Sequence, residues 1–107
     1  MNDTIARDPV LGWVRTALDA LYGERIERVV LFGSQARGDH TEDSDYDVAV
    51  FLHGLTDRWA ELRRLADLRT RMLGETGVFL DIKPFPAGSY IDRTSIMREI
   101  RLDGLDL

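Results

Sequence analysis

The chain has 107 residues, 44% of them hydrophobic and 31% charged, with a formal net charge of −5 at pH 7. A single domain over residues 1–107 is expected, burying about 65% of its unfolded surface and leaving no second domain to grip a substrate. The absence of cysteine excludes a disulfide framework and a thiolate metal site, and the acidity argues against stable nucleic-acid binding along the phosphates.

No apolar run approaches the roughly 18 residues of a membrane span. The beginning of the chain, with Asp3, Arg7 and Asp8, lacks a signal-peptide core, so a cytoplasmic location is expected. Asp8-Pro9 opens a helix, with a carboxylate at the N-cap and proline at the first helical position. Val10, Trp13, Val14, Ala17, Leu18, Leu21 and Tyr22 follow at the spacing of one apolar face, and Gly23 stops it. This helix serves packing.

Residues 26–32, rich in β-branched and large apolar side chains between Gly23 and Gly33, form the first strand. Gly33 lets the backbone turn sharply and approach a ligand, because it lacks a Cβ and tolerates positive φ. Ser34 to Arg37 then suit a helical first turn whose free N–H groups face a phosphate. Ser34 adds a hydroxyl, and Arg37 an always-charged fork for phosphate oxygens. After a loop over residues 38–44, Asp45 and Asp47 open a strand over 45–52, where alternation projects both from one face. Two close carboxylates repel each other, and a cation between them resolves this; magnesium fits best. If both strand ends meet at one ligand, the two strands run antiparallel.

From Thr56 as N-cap a crossover helix is expected to Leu73, with Gly74 beyond its end and Trp59, Leu62, Leu65, Ala66, Leu68, Met72 and Leu73 as its core stripe. Residues 78–85 read as a third strand, at an edge because of Pro84 and Pro86. A helical crossover makes it parallel to the second, which can bring Asp81 level with Asp45 and Asp47; the competing reading of Asp81 is a salt bridge to Lys83 or an exposed edge position. A last helix over 94–102 turns Ile96, Met97 and Ile100 inward, and the tail after it carries no signal. Of the 14 basic residues only Lys83 is a lysine, and most arginines fall in three patches: Arg25 with Arg28, residues 63–71 and residues 93–101. They read as solvated helix faces paired with nearby Asp and Glu; the alternative is a docking surface for an acidic partner.

Three other motifs fail. Gly33-x4-Gly38 begins like a P-loop, but Asp39-His40 stands where Lys-Ser/Thr is required. Asp43, Asp45 and Asp47 begin like an EF-hand, but Val48 and Gly54 occupy the positions of its Gly and Glu. Ser34 with His40 or His53 makes no hydrolase, because no nucleophile elbow surrounds the serine.

Gly33-Ser34, Asp45-x-Asp47 between apolar residues, and Leu80-Asp81-Ile82 on a later strand resemble the signature of the DNA polymerase β-type nucleotidyltransferase superfamily. The fuller strings Gly33-Ser-Gln-Ala-Arg-Gly38 and Ser44-Asp-Tyr-Asp47 are similar to its minimal branch, the prokaryotic MNT-domain proteins, over nearly the whole chain. The resemblance implies a small α/β domain with a mixed sheet flanked by helices, the polymerase-β-like nucleotidyltransferase fold. It implies Asp45 and Asp47 as ligands of Mg²⁺, Asp81 as the third acidic residue, and ATP as the nucleotide donor. Members are typically encoded beside a HEPN-domain ribonuclease toxin and act as its antitoxin, some by transferring AMP to a tyrosine of the toxin.

The expected chemistry is attack of an acceptor hydroxyl on the α-phosphate of ATP, with two Mg²⁺ ions stabilising the attacking and leaving oxygens. Gly33, Ser34, Arg37 and Ser44 form the expected nucleotide-binding set. The alternatives are an antitoxin that blocks its toxin by binding alone, and an adenylyltransferase for a small molecule such as an aminoglycoside, disfavoured because no second domain shapes that pocket.

Overall fold

A computed structural model describes residues 3–39, 41 and 44–107; the loop positions His40 and Asp43 weighed above lie outside them. The chain runs α1 (Asp3–Arg7), α2 (Pro9–Tyr22), β1 (Ile26–Phe32), α3 (Ser34–Arg37), β2 (Tyr46–Leu52), α4 (Arg58–Thr76), β3 (Leu80–Pro86), α5 (Ser95–Asp103) and β4 (Leu105–Asp106). Single 3-10 turns lie at Gly23–Arg25 and Ser89–Ile91.

In β1, Val29 and Leu31 turn to one side while Val30 and Phe32 turn to the other, and all four are buried. A strand apolar on both sides must be covered on both. On the first side α2 and α4 bring Leu11, Val14, Leu18, Leu65, Leu68 and Met72 against β1, β2 and β3. On the second side α5 brings Met97 and Ile100 against Val30, Phe32, Ala49, Phe51 and Phe85. The sheet between these layers has four strands in the order β3-β2-β1-β4. β1 and β2 pair antiparallel, β2 and β3 parallel, as the hairpin and the helical crossover require, and β3 lies at an edge.

Several expected boundaries move. β2 begins at Tyr46, whose N–H bonds Phe79 O at 2.9 Å, so pairing does not extend to Asp45. The N-cap of α4 is Asp57, whose carboxylate accepts from the Ala60 N–H, not Thr56. Its end is Gly77, at φ 74°, since Gly74 keeps a helical backbone and the Gly77 N–H reaches Leu73 O. The face of this longer helix that meets the sheet is the narrower row Glu61, Leu65, Leu68 and Met72, which leaves Ala66 exposed and Trp59 and Leu73 at 74% and 43% exposure. β3 starts at Leu80, two residues later than expected, and ends at Pro86. Thr94 caps α5 from outside, accepting from the Met97 N–H. The tail, which carried no signal, pairs as β4 with Val30 and Leu31.

Buried Glu61, 6% exposed, is offset by Arg25 and Arg64, each 3.4 Å from its Oε1. Arg25 also donates to the carbonyls of His53 and Gly54, so this ion pair ties the turn after β2 to α4.

Candidate active site

Gly33, Ser34, Asp45, Asp47 and Asp81 lie where β1 ends and β2 and β3 begin, because an antiparallel strand must finish where its partner starts. Gly33 is buried at this point with φ 75° and ψ −159°. A Cβ here would run into Asp47 Oδ2, so glycine is required both by the backbone angle and by the carboxylate lying against it. Gly33 O accepts from the N–H groups of Ala36 and Arg37, each at 3.1 Å. The earlier amides of this turn, at Ser34 and Gln35, have no acceptor within the helix and point outward from its start.

The parallel register sets Asp47 directly beside Asp81. Both are half-buried, on the side of the sheet that α5 covers. Burial raises the proton affinity of Asp47 above the ordinary carboxylate range; Asp81, Asp45 and Glu99 add to this, and Lys83 opposes it. Lys83 Nζ donates to Asp81 Oδ2 at 2.6 Å, so Asp81 is level with Asp47, though the register does not reach Asp45, and is at the same time paired with Lys83. Asp45 is exposed and forms part of the wall of a cavity of about 360 Å³ on the α4 side. Among the described residues no group of three or more His, Cys, Asp or Glu side chains is arranged to hold a metal ion. Two adjacent oxygen donors, one of them disfavoured as an anion by its neighbours, nonetheless have the chemistry that suits a hard divalent cation.

The remaining expected residues are engaged within the protein. Arg37 donates to Asp39 Oδ2 at 3.1 Å and to Asp103 Oδ2 at 3.3 Å. The Ser44 hydroxyl accepts from the Thr41 N–H at 2.9 Å, and its carbonyl accepts from Gln35 Nε2 at 3.2 Å, closing the loop onto α3. Between the two aspartates of the motif, the Tyr46 hydroxyl donates to Asp8 Oδ2, while Asp8 Oδ1 caps α2 through the Val10 N–H. Burial and then Asp8 hold this phenol well above its ordinary range.

The sequence profile described as "Nucleotidyltransferase domain" matches residues 11–94, from α2 to the cap of α5. The chain belongs to this nucleotidyltransferase family. Two proteins of Methanocaldococcus jannaschii, both provisionally named as protein adenylyltransferases, resemble this nucleotidyltransferase domain. MJ0604 is 40% identical over 65 residues, 61% of this chain and 59% of its own. MJ0141 is 43% identical over 35 residues, 33% of this chain and 35% of its own. The matches thus span well under two thirds of these relatives' lengths. The fold is shared with solved structures: a toxin-antitoxin complex with AMP-PNP (TM-score 0.59, 19% identity, 85% of this chain and 67% of that one), and a provisionally assigned nucleotidyltransferase from Sulfolobus solfataricus (TM-score 0.58, 20% identity, 92% and 76%). A third, the toxin-antitoxin pair MntA-HpeT, carries two Asp-to-Glu substitutions two residues apart (TM-score 0.61, 16% identity, 85% and 67%).

Sequence reading missed Glu99 and Asp103 of α5: the charge of Glu99 adds to the raised proton affinity of Asp47, and Asp103 pairs with Arg37. No pattern separates them from solvated acids on a helix; only the packing of Ile100 against the sheet turns that edge of α5 toward the site. The Asp8–Tyr46 bond is equally invisible, since 38 residues separate its partners.

Proposed function

We propose that this domain, acting as a single unit over residues 1–107 in the cytoplasm, is a Mg²⁺-dependent nucleotidyltransferase that moves AMP from ATP to a hydroxyl of a protein partner. The observation that carries this reading is the register of Asp47 beside Asp81 at the end of the sheet where Gly33 opens α3. The Gly33-Ser34 backbone and the hydroxyls of Ser34 and Ser44 would hold the phosphates, and Arg37 would exchange its carboxylate partners for a phosphate oxygen. Asp45 and Asp47 would hold two Mg²⁺ ions, with Asp81 as a further ligand on the acceptor side. When bound there, the ions supply charge stabilisation for the attacking and leaving oxygens. The acceptor oxygen forms a bond to the α-phosphorus as the bond from that phosphorus to its bridging oxygen breaks. Pyrophosphate leaves with the electron pair, and the hydroxyl proton passes to Asp81 as base.

The provisional names of the archaeal relatives support adenylyl transfer to protein. The toxin-antitoxin neighbours support a toxin as acceptor, and the motif resemblance favours a tyrosine of a HEPN-type toxin. The test is co-expression with the product of the neighbouring reading frame, followed by intact-mass measurement with ATP and Mg²⁺. Added AMP mass on that partner, abolished by Asp47→Asn, is expected.

A second reading, an antitoxin that acts by binding alone, is favoured by the pairing of Asp81 with Lys83 and of Arg37 with Asp39 and Asp103. Equal silencing of the partner by wild type and Asp47→Asn, without added mass, would select it.

A further inference from the structure

We infer that Lys83 is a positioning residue that reserves the Asp47 and Asp81 carboxylates for a divalent cation arriving with nucleotide: its ammonium holds Asp81 and weakens the binding of the cation by itself. This rests on the transferase reading above. In the parallel register Asp81 pairs with Asp47, Lys83 with Ala49 and Phe85 with Phe51, so all six side chains share the side of the sheet that α5 covers. Lys83 therefore stands on the same face as the site carboxylates, two residues along β3 from Asp81.

Its neighbours fix its direction. Farther along β3 Phe85 meets Phe51 edge to face with ring centres 5.5 Å apart, and Ala49, beside Lys83 in the register, is fully buried. An ammonium with apolar groups on one side finds its anion on the other. That anion is Asp81, whose Oδ2 accepts from Nζ at 2.6 Å, and Asp81 is the one ion-pair partner of Lys83 among the described residues. The charge of Lys83 also favours the ionised form of Asp47, against burial and against Asp81, Asp45 and Glu99. One cation thus serves both carboxylates.

The type of residue sets what happens next. Lys83 is the one lysine among 14 basic residues. Lysine carries a compact charge on a flexible stem, so it can give up a carboxylate oxygen that an arginine would grip through a planar fork. While it stays, it opposes a second cation. Even in water two unit charges about 4 Å apart change an equilibrium about fivefold, and a divalent ion feels more. Triphosphate oxygens brought with the cation offset the ammonium. Cation and nucleotide then each favour the binding of the other.

The experiment titrates Mg²⁺ into the isotope-labelled full chain, with and without AMP-PNP, and follows the amides of Asp47 and Asp81 and the side-chain signal of the single lysine. Without nucleotide, Lys83→Met should bind Mg²⁺ at least about fivefold more tightly than wild type, while Lys83→Arg, which keeps the charge, should stay within about twofold. With AMP-PNP the advantage of Lys83→Met should fall to about twofold or less. In wild type, saturation with Mg²⁺ should shift the lysine signal, which a merely structural lysine would not show. The Lys83 side chain is 38% exposed, so the amide spectrum of Lys83→Met away from the site should match wild type. Equal affinity of wild type and Lys83→Met, an unmoved lysine signal, or the same advantage with and without AMP-PNP would overturn the assignment and leave the transferase reading standing. Failure of all three proteins to bind Mg²⁺ with AMP-PNP would overturn both.

Discussion

Burial and the adjacent Asp81 carboxylate favour the protonated form of Asp47, so folding works against its ionised state. A carboxyl whose folded value lies above its unfolded value contributes stability that is fully present at low pH and is lost as pH rises through the folded value. Asp47→Asn should therefore melt higher than wild type at neutral pH, with the difference closing in acid; thermal melts across that range check it. The same variant should lose at least about 10²-fold in transferase rate, because the charge that costs stability is the one the proposed reaction would use. Mg²⁺ should stabilise wild type but not Asp47→Asn, by about 2.7 kcal/mol at a hundredfold excess over its Kd, and a chelator should reverse this. At Gly33 an alanine would carry both the unfavourable φ of 75° and the clash with Asp47. A loss of about 1–3 kcal/mol in urea denaturation is expected.

Among the elements, α2 and β2 are joined at their starts by a single side chain. Asp8 uses one oxygen to cap α2 and the other to hold the Tyr46 hydroxyl, and so sets the backbone between Asp45 and Asp47. Asp8→Ala should cost about 1–2 kcal/mol for the cap and roughly 1 kcal/mol more for the phenol it abandons. Tyr46→Phe alone should cost about 1 kcal/mol, and the double variant less than the sum, because the two changes share one bond. Denaturant curves of the three variants measure this. The helix over Pro9–Tyr22 and the strand over Ile26–Phe32 were legible in the sequence because their signals are local: a capping aspartate, proline, bounding glycines and an uninterrupted period. The bounds of α4 were not, because Thr56 and Asp57 are equally good caps and Gly74 and Gly77 equally good stops. Packing against the sheet chose between them, and it also left Trp59 and Leu73 outside the core.

Across the whole molecule, α5 is the helix that closes the side of the sheet bearing Asp47 and Asp81, with Ile100 fully buried beneath it. Ile100→Ala should cost about 2–5 kcal/mol. Denaturant unfolding of the variant beside wild type checks this. No helix among the described residues is long and apolar enough to cross a membrane, in keeping with the absence of a long apolar run.

The sequence by itself pointed to the antiparallel hairpin, the parallel crossover and the meeting of Gly33 with the start of β2, and left the place of Asp81 open between alignment with that site and a salt bridge to Lys83. Period, turn residues and chain connectivity leave one way to bring those strand ends together. Only the tertiary structure decided what each charge meets. Lys83 on Asp81, Arg37 between Asp39 and Asp103 and the tail as β4 all depend on partners brought together by folding. Ion pairs carry no periodicity, so three-dimensional proximity alone selects them.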